Sequence, residues 1–142
     1  MDYQKVINFK LNTLIDLMLT KGVSPSELAD NIFDEDYLSI SFSKTNEYIV
    51  GKLNFFDKGE VLQNIYMLYT YSKDKRLVQI EEIVNGDKHL LWSRRSREEE
   101  LITELLYFMN CCYNAQQIDE FISSLPEELK DIVVKYANML SA

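Results

Sequence analysis

The chain has 142 residues, 46% of them hydrophobic, and a formal charge of −8. That length is one domain's worth, and that apolar content excludes a disordered chain. The acidic surplus argues against general nucleic-acid binding, which needs excess Lys and Arg, and it favours solubility or a basic protein partner.

A chain of this size buries about two thirds of its unfolded surface, so it needs no metal or disulfide to hold together. Lys5 and Lys10 interrupt the first apolar stretch, so nothing there resembles a signal peptide. No uncharged run is long enough to cross a bilayer. Cys111 and Cys112, the only cysteines, are adjacent and cannot close an ordinary disulfide with each other. A reducing, cytoplasmic setting is the simplest expectation.

Ile7, Leu11, Leu14 and Met18 recur at four- and three-residue steps, which predicts a first helix ended by Gly22. Ser24-Pro25-Ser26-Glu27 predicts a new start, with Ser24 as N-cap, Pro25 at the first helical position and Glu27 closing a capping box. A short helix through about Phe33 follows. Leu17 through Ile32, with Lys21-Gly22-Val23-Ser24-Pro25-Ser26-Glu27-Leu28-Ala29, is similar to the first half of a helix-turn-helix module. The similarity stops where a recognition helix would begin, because Asp34-Glu35-Asp36 leads into a strand. The segment reads as an ordinary capped helix pair.

From Asp36 to Ser93 the period changes to two. Leu38, Ile40 and Phe42 alternate with Tyr37, Ser39, Ser41 and Ser43, as a strand with one wet face should. Turn signals at Lys44-Thr45-Asn46, Asp57-Lys58-Gly59-Glu60, Lys73-Asp74-Lys75 and Asn85-Gly86-Asp87 then divide the stretch. Asn85-Gly86 suits a type I′ hairpin, where both residues need positive φ. The strands between run over about 47–56, 60–72, 76–85 and 88–93. The third is apolar on both sides, with Val61, Ile65, Met67 and Tyr69 facing one way and Leu62, Tyr66 and Leu68 the other. It is therefore expected at the centre, covered on each side.

Ser96-Arg97-Glu98-Glu99 reads as a second capping box, opening a helix with Leu101, Leu105, Phe108, Met109 and Cys112 on one stripe. Both cysteines are expected to be buried and structural. A shorter piece follows around Ile118, Phe121 and Ile122. Pro126 starts the last helix, with Leu129, Ile132, Val133, Tyr136 and Leu140 at helical spacing. The expected fold is therefore α+β: a five-stranded antiparallel meander over about 36–93, with two N-terminal helices and two to three C-terminal helices packed on it. Residues 1–142 are read as a single domain.

Catalytic residues are scarce. His89, the one histidine, follows a turn with no partner or nucleophile at an identifiable spacing, and an exposed strand-end histidine is the simpler reading. The cysteines lack a helix N-terminus or a cationic neighbour, and with one histidine they fit no common zinc spacing. Gly22, Gly59 and Gly86 fit a helix end and two turns, while Gly51 marks a bulge or a close approach. No phosphate-cradling loop exists. Asp34-Glu35-Asp36 reads as a solvated acidic turn, and Glu98, Glu99 and Glu100 as charge favourable to a helix N-terminus. No cofactor is expected.

Placement of charge adds one inference. Alternate turns of a meander fall at the same end, so Lys44, Lys73, Lys75, Arg76, Arg94, Arg95 and Arg97 gather there, diluted by Glu47, Asp74 and Glu98. Asp34, Glu35, Asp36, Asp57, Glu60 and Asp87 gather at the opposite end with Lys58 and Lys88. The basic tip could grip carboxylates or phosphates. Tyr37, Tyr48, Tyr66, Tyr69 and Tyr71 crowd the sheet, and a face left open would serve a homodimer or another protein. The leading expectation is a non-enzymatic protein-binding module: a small acidic inhibitor, an immunity or antitoxin-like protein, or a dedicated chaperone. Nucleic-acid or regulatory binding through the tip around Arg94–Arg97 is the alternative. No membrane partner is expected.

Overall fold

A computed structural model describes residues 2–57 and 63–141. The fold is α+β, with one five-stranded antiparallel sheet in the order β1-β2-β3-β4-β5. The chain divides into two compact units, Thr20–Arg95 and Met1–Leu19 with Ser96–Ala142. No described helix is long and apolar enough to cross a membrane.

The sheet unit begins with α2 (Pro25–Asp30), capped as the sequence predicts. The Ser24 hydroxyl accepts from the Glu27 amide at 3.2 Å, and the Glu27 carboxylate accepts from the Ser24 amide at 3.5 Å. A 3-10 turn (Asn31–Phe33) leads into β1 (Tyr37–Lys44), so a strand follows where a recognition helix would stand. Next come β2 (Tyr48–Asp57), β3 (Gln63–Ser72), β4 (Leu77–Val84) and β5 (Asp87–Ser93). Asn85 and Gly86 both take positive φ, 53° and 85°, as the I′ reading of that turn requires. Lys58, Gly59 and Glu60 of the second expected turn, with Val61 and Leu62, lie outside the described residues.

β3 is the central strand. Ile65, Met67, Tyr69 and Tyr71 pair with Phe55, Leu53, Gly51 and Ile49 on one side of the sheet. Leu28 of α2 packs there with Leu53, Tyr71 and Leu77, ringed by Val23, Ile40, Met67 and Trp92. Gly51 is a close approach: a Cβ there would stand 2.9 Å from the Phe42 ring. The other side is more polar. Lys52 lies 4.5 Å from the Tyr66 ring centroid and Lys88 pairs with Glu81 at 3.3 Å, so long charged stems cover part of the apolar surface of β3.

The first strand departs from simple alternation. Tyr37 pairs with Phe55 but Ser39 pairs with Asn54, so an extra residue enters at Leu38. This bulge puts Tyr37 with Ile40 in the packed cluster and leaves Leu38 55% exposed. The inward set is therefore Tyr37 and Ile40, not Leu38.

The helical unit consists of α1 (Tyr3–Leu19), α3 (Arg94–Cys112, its first two residues assigned to the sheet unit), α4 (Ala115–Ser123) and α5 (Glu127–Ser141). Leu14 and Met18 of α1 pack with Leu101 and Ile102 of α3 and with Leu129, Val133 and Tyr136 of α5. Ile7 packs with Leu105 and Met109. Two expectations need correction. α3 starts at Arg94, so Ser96 lies inside the first turn and Glu98–Glu100 come later than the helix N-terminus. The cysteines are exposed, because the buried stripe ends at Met109 and the last turn projects outward. A box that sequence inspection missed, Asn114 with Gln117, opens α4.

Tyr71 is 1% exposed and its hydroxyl donates to the Val23 carbonyl at 2.6 Å. Burial, with smaller contributions from Tyr69 and Glu27, pushes its phenol up to about 12. The unfolded chain ionises this group near pH 10, so above that pH it holds fewer protons than the folded chain. The contribution is full below pH 10 and is lost as pH rises towards about 12. Urea titrations across this range are expected to show wild type losing stability faster than Tyr71→Phe, with the gap between them closing.

Candidate functional site

The meander brings Lys44, Lys73, Lys75, Arg76, Arg94 and Arg95 to one end of the sheet unit. They are not equivalent there. Arg94 is 6% exposed. Its Nε donates to the Leu77 carbonyl at 2.8 Å, and a terminal guanidinium nitrogen donates to the Thr20 carbonyl at 2.8 Å. Its guanidinium carbon lies 5.5 Å from the Trp92 ring centroid. Arg94 is an internal clamp.

Arg76 is half-buried and pairs with Asp74 at 3.3 Å. A hydrogen bond from the Ser72 hydroxyl, helped by Arg76, holds the Asp74 carboxyl below its usual range. The turn is closed by Lys75 N–H to Ser72 C=O at 3.0 Å, with Lys75 at φ 71°. Lys44, Lys73, Lys75 and Arg95 are exposed. Arg97 belongs to the helical unit, where it pairs with Glu100 at 3.1 Å.

The tyrosines divide between the two sides of the sheet. Tyr69 and Tyr71 lie on the packed side, where burial raises the Tyr69 phenol and Tyr71 is fully enclosed. Tyr66 is half-buried beside Lys52 on the other side. His89 is exposed on β5 opposite Glu82. Among the described residues, no three His, Cys, Asp or Glu side chains converge as a metal site.

The most exposed apolar side chain of the sheet unit, Phe33, lies towards its acidic end, with Ile32 and Leu38 nearby in the chain. Phe33 is 89% exposed, Ile32 45% and Leu38 55%. The 3-10 turn bearing the first two packs against β1, and Asp34, Glu35 and Asp36 connect them. Asp34 takes part in this turn, its carboxylate accepting from the Asp36 amide at 3.1 Å. Sequence inspection missed this patch for a physical reason. Helical spacing would carry Ile32 into register with Leu28, but the 3-10 turn breaks that phase at Asn31.

In the helical unit, a groove of about 500 Å³ lies between α3, α4 and α5. Leu106, Ile118 and Ile122 contribute apolar lining, and Asn110, Asp119 and Asn138 contribute polar groups. The amides and the carboxylate, with the Thr103 and Tyr107 side chains, can orient a ligand there.

No protein-family model, curated protein or solved structure matches this chain.

Arg94→Met leaves two backbone carbonyls without these charged donors. It is expected to cost about 3 kcal/mol in chemical denaturation. Arg94→Lys should recover only part of this, since one ammonium cannot reproduce the planar fork. The exposed thiols of Cys111 and Cys112 are expected to react with a thiol reagent in the native protein as fast as in the denatured chain; protection would contradict their placement in the outward last turn of α3.

Proposed function

We propose that this chain is a non-enzymatic protein-binding module, of the kind a small acidic inhibitor, an immunity or antitoxin-like protein, or a dedicated chaperone would be. The observation that carries this reading is the exposed Ile32, Phe33 and Leu38 surface beside Asp34, Glu35 and Asp36. An aromatic ring held almost wholly in water contributes little to its own fold, yet it can bury a large area against a partner. The adjoining carboxylates favour a partner with basic groups around an apolar contact, and the net charge of −8 would steer such a partner inward. Exposed free thiols suit a reducing compartment such as the cytoplasm.

Nucleic acid at the basic tip ranks second. Arg94 is committed to backbone carbonyls and Arg76 to Asp74, which leaves fewer cations to meet phosphates.

The test compares wild type with the Phe33→Ser, Leu38→Ser double variant as bait in source lysate at near-physiological salt. Both side chains are exposed, so stability should change by no more than about 0.5 kcal/mol per site. The expected result is a specific protein retained by wild type and lost by the variant. Equal recovery on both baits, or no specific protein on either, would refute the reading. A low-salt mobility-shift titration with nucleic acid is expected to stay flat.

A further inference from the structure

We infer that β1 is a self-pairing edge, through which two copies of this chain join their sheets antiparallel about a two-fold axis at Ser41. The sheet order gives β1 a single neighbour, β2. The hairpin bond from Thr45 N–H to Tyr48 C=O, 2.8 Å, sets the alternation along this pair. Ser43, Ser41 and Ser39 therefore direct their backbone groups to β2, and Phe42 and Ile40 direct theirs outward. Six of the eight β1 residues are exposed, Phe42 among them, and Ile40 is half-buried.

Natural edges are usually blunted by charge, proline or bulges along their length. β1 has Tyr37-Leu38-Ser39-Ile40-Ser41-Phe42-Ser43 without a charge or a proline, and its bulge is confined to the start. β5, the other edge, carries Asp87, Lys88 and His89 and is broken by a register shift opposite Ile80 and Glu81. β5 also exposes Leu90 and Leu91, but its charges and its register shift interrupt the row, and β1 has neither over Ser39–Ser43.

The β1 edge also matches itself. Ile40 and Phe42, the uncharged residues whose backbone groups point outward, flank Ser41. Antiparallel pairing there sets Ser41 against Ser41, Ile40 against Phe42 and Ser39 against Ser43 of the second copy. An aromatic ring opposite a β-branched chain is among the favourable cross-strand pairs. Asp34, Glu35 and Asp36 precede the strand, and Lys44 ends it, with Glu47 following in the turn to β2. Antiparallel pairing sets Lys44 of each copy towards the acidic segment of the other, whereas parallel pairing would lay the two acidic segments side by side. The net charge of −8 on each copy opposes association. At physiological salt, however, charges are screened beyond about 8 Å, which weakens this repulsion. With β1 used and β5 guarded, the assembly closes as a dimer. Such pairing stands whether or not another protein binds.

A seam one strand long buries less than the usual ~800 Å² per partner, which suits a dissociation constant in the micromolar range. Sedimentation and light scattering of the full chain over about 2 to 200 micromolar are expected to show the mass rising from 16.7 kDa towards twice that value. Ser41→Glu places two carboxylates against each other at the axis, while within its own sheet residue 41 stands opposite Lys52. It should keep the wild-type melting temperature and weaken the dimer at least about tenfold. In a Cys111→Ser, Cys112→Ser background, Ser41→Cys should form an intermolecular disulfide, because Cα atoms of a non-hydrogen-bonded pair lie about 4.5 Å apart. A monomer at every concentration, an unchanged dimer in Ser41→Glu, or failure of Ser41→Cys to cross-link would each overturn the inference. Loss of the lysate partner alone would leave these readouts unmoved.

Discussion

The sheet unit closes around one buried cation. The Arg94 guanidinium ties the end of β5 to the Thr20 and Leu77 carbonyls while lying near Trp92. A charge that far from water is tolerable only when its hydrogen-bonding groups are used, and carbonyl dipoles provide the acceptors. The neighbouring contacts reinforce the same junction. Leu77 N–H donates to the Lys21 carbonyl at 2.8 Å, and the Tyr71 hydroxyl reaches Val23. Gly22, at φ 88°, lets the chain pass so close to Leu77 that a Cβ would stand 2.9 Å from the Leu77 Cβ. The segment from Thr20 to Val23 is thereby stitched to the start of β4, and α2 follows from a fixed point to lay Leu28 on the sheet.

This junction changes what the charges of the sheet mean. An arginine counted with Lys73 and Lys75 because the meander places it at their end is internal, held by the backbone. Its neighbour Arg95 remains outside. Arg76 is engaged by Asp74 in an ion pair, in a turn closed by Lys75 N–H to Ser72 C=O. Sheet topology sets the end at which a charge lies; hydrogen bonding determines whether that charge can meet a partner.

The same distinction explains how much of the fold was legible. Strand alternation, the Asn85-Gly86 turn and the Ser24-Glu27 box act through residues a few positions apart, so they could be read and they recur in the structure. Arg94 finds its acceptors 17 and 74 residues away, and no local pattern announces them. The Ser96 box failed because strand β5 passes directly into α3, leaving no break for Ser96 to cap. Cys112 lies on the apolar phase of α3 but beyond the end of its packing, and its thiol donates instead to the Phe108 carbonyl at 3.6 Å. Periodicity identifies a helix face without revealing how far along that face the neighbours extend. The Phe33 patch was hidden in a related way, since a 3-10 turn shifts the side-chain phase within three residues.

The contrast between the two sheet edges has a physical basis in where each strand's polar residues lie. On β1, serines occupy the side of the sheet opposite Ile40 and Phe42, so its polar groups are hydroxyls that repel no approaching strand. On β5, a positive and a negative charge sit within the first two residues, and Lys88 is drawn to Glu81 across the pair. Desolvating those charges against a new strand would cost more than the added backbone hydrogen bonds return, since each such bond nets only about 1 kcal/mol. Hydroxyls impose a much smaller penalty and can hydrogen-bond across strands. The hydroxyls of β1 thus oppose an added strand less than the charges of β5 do.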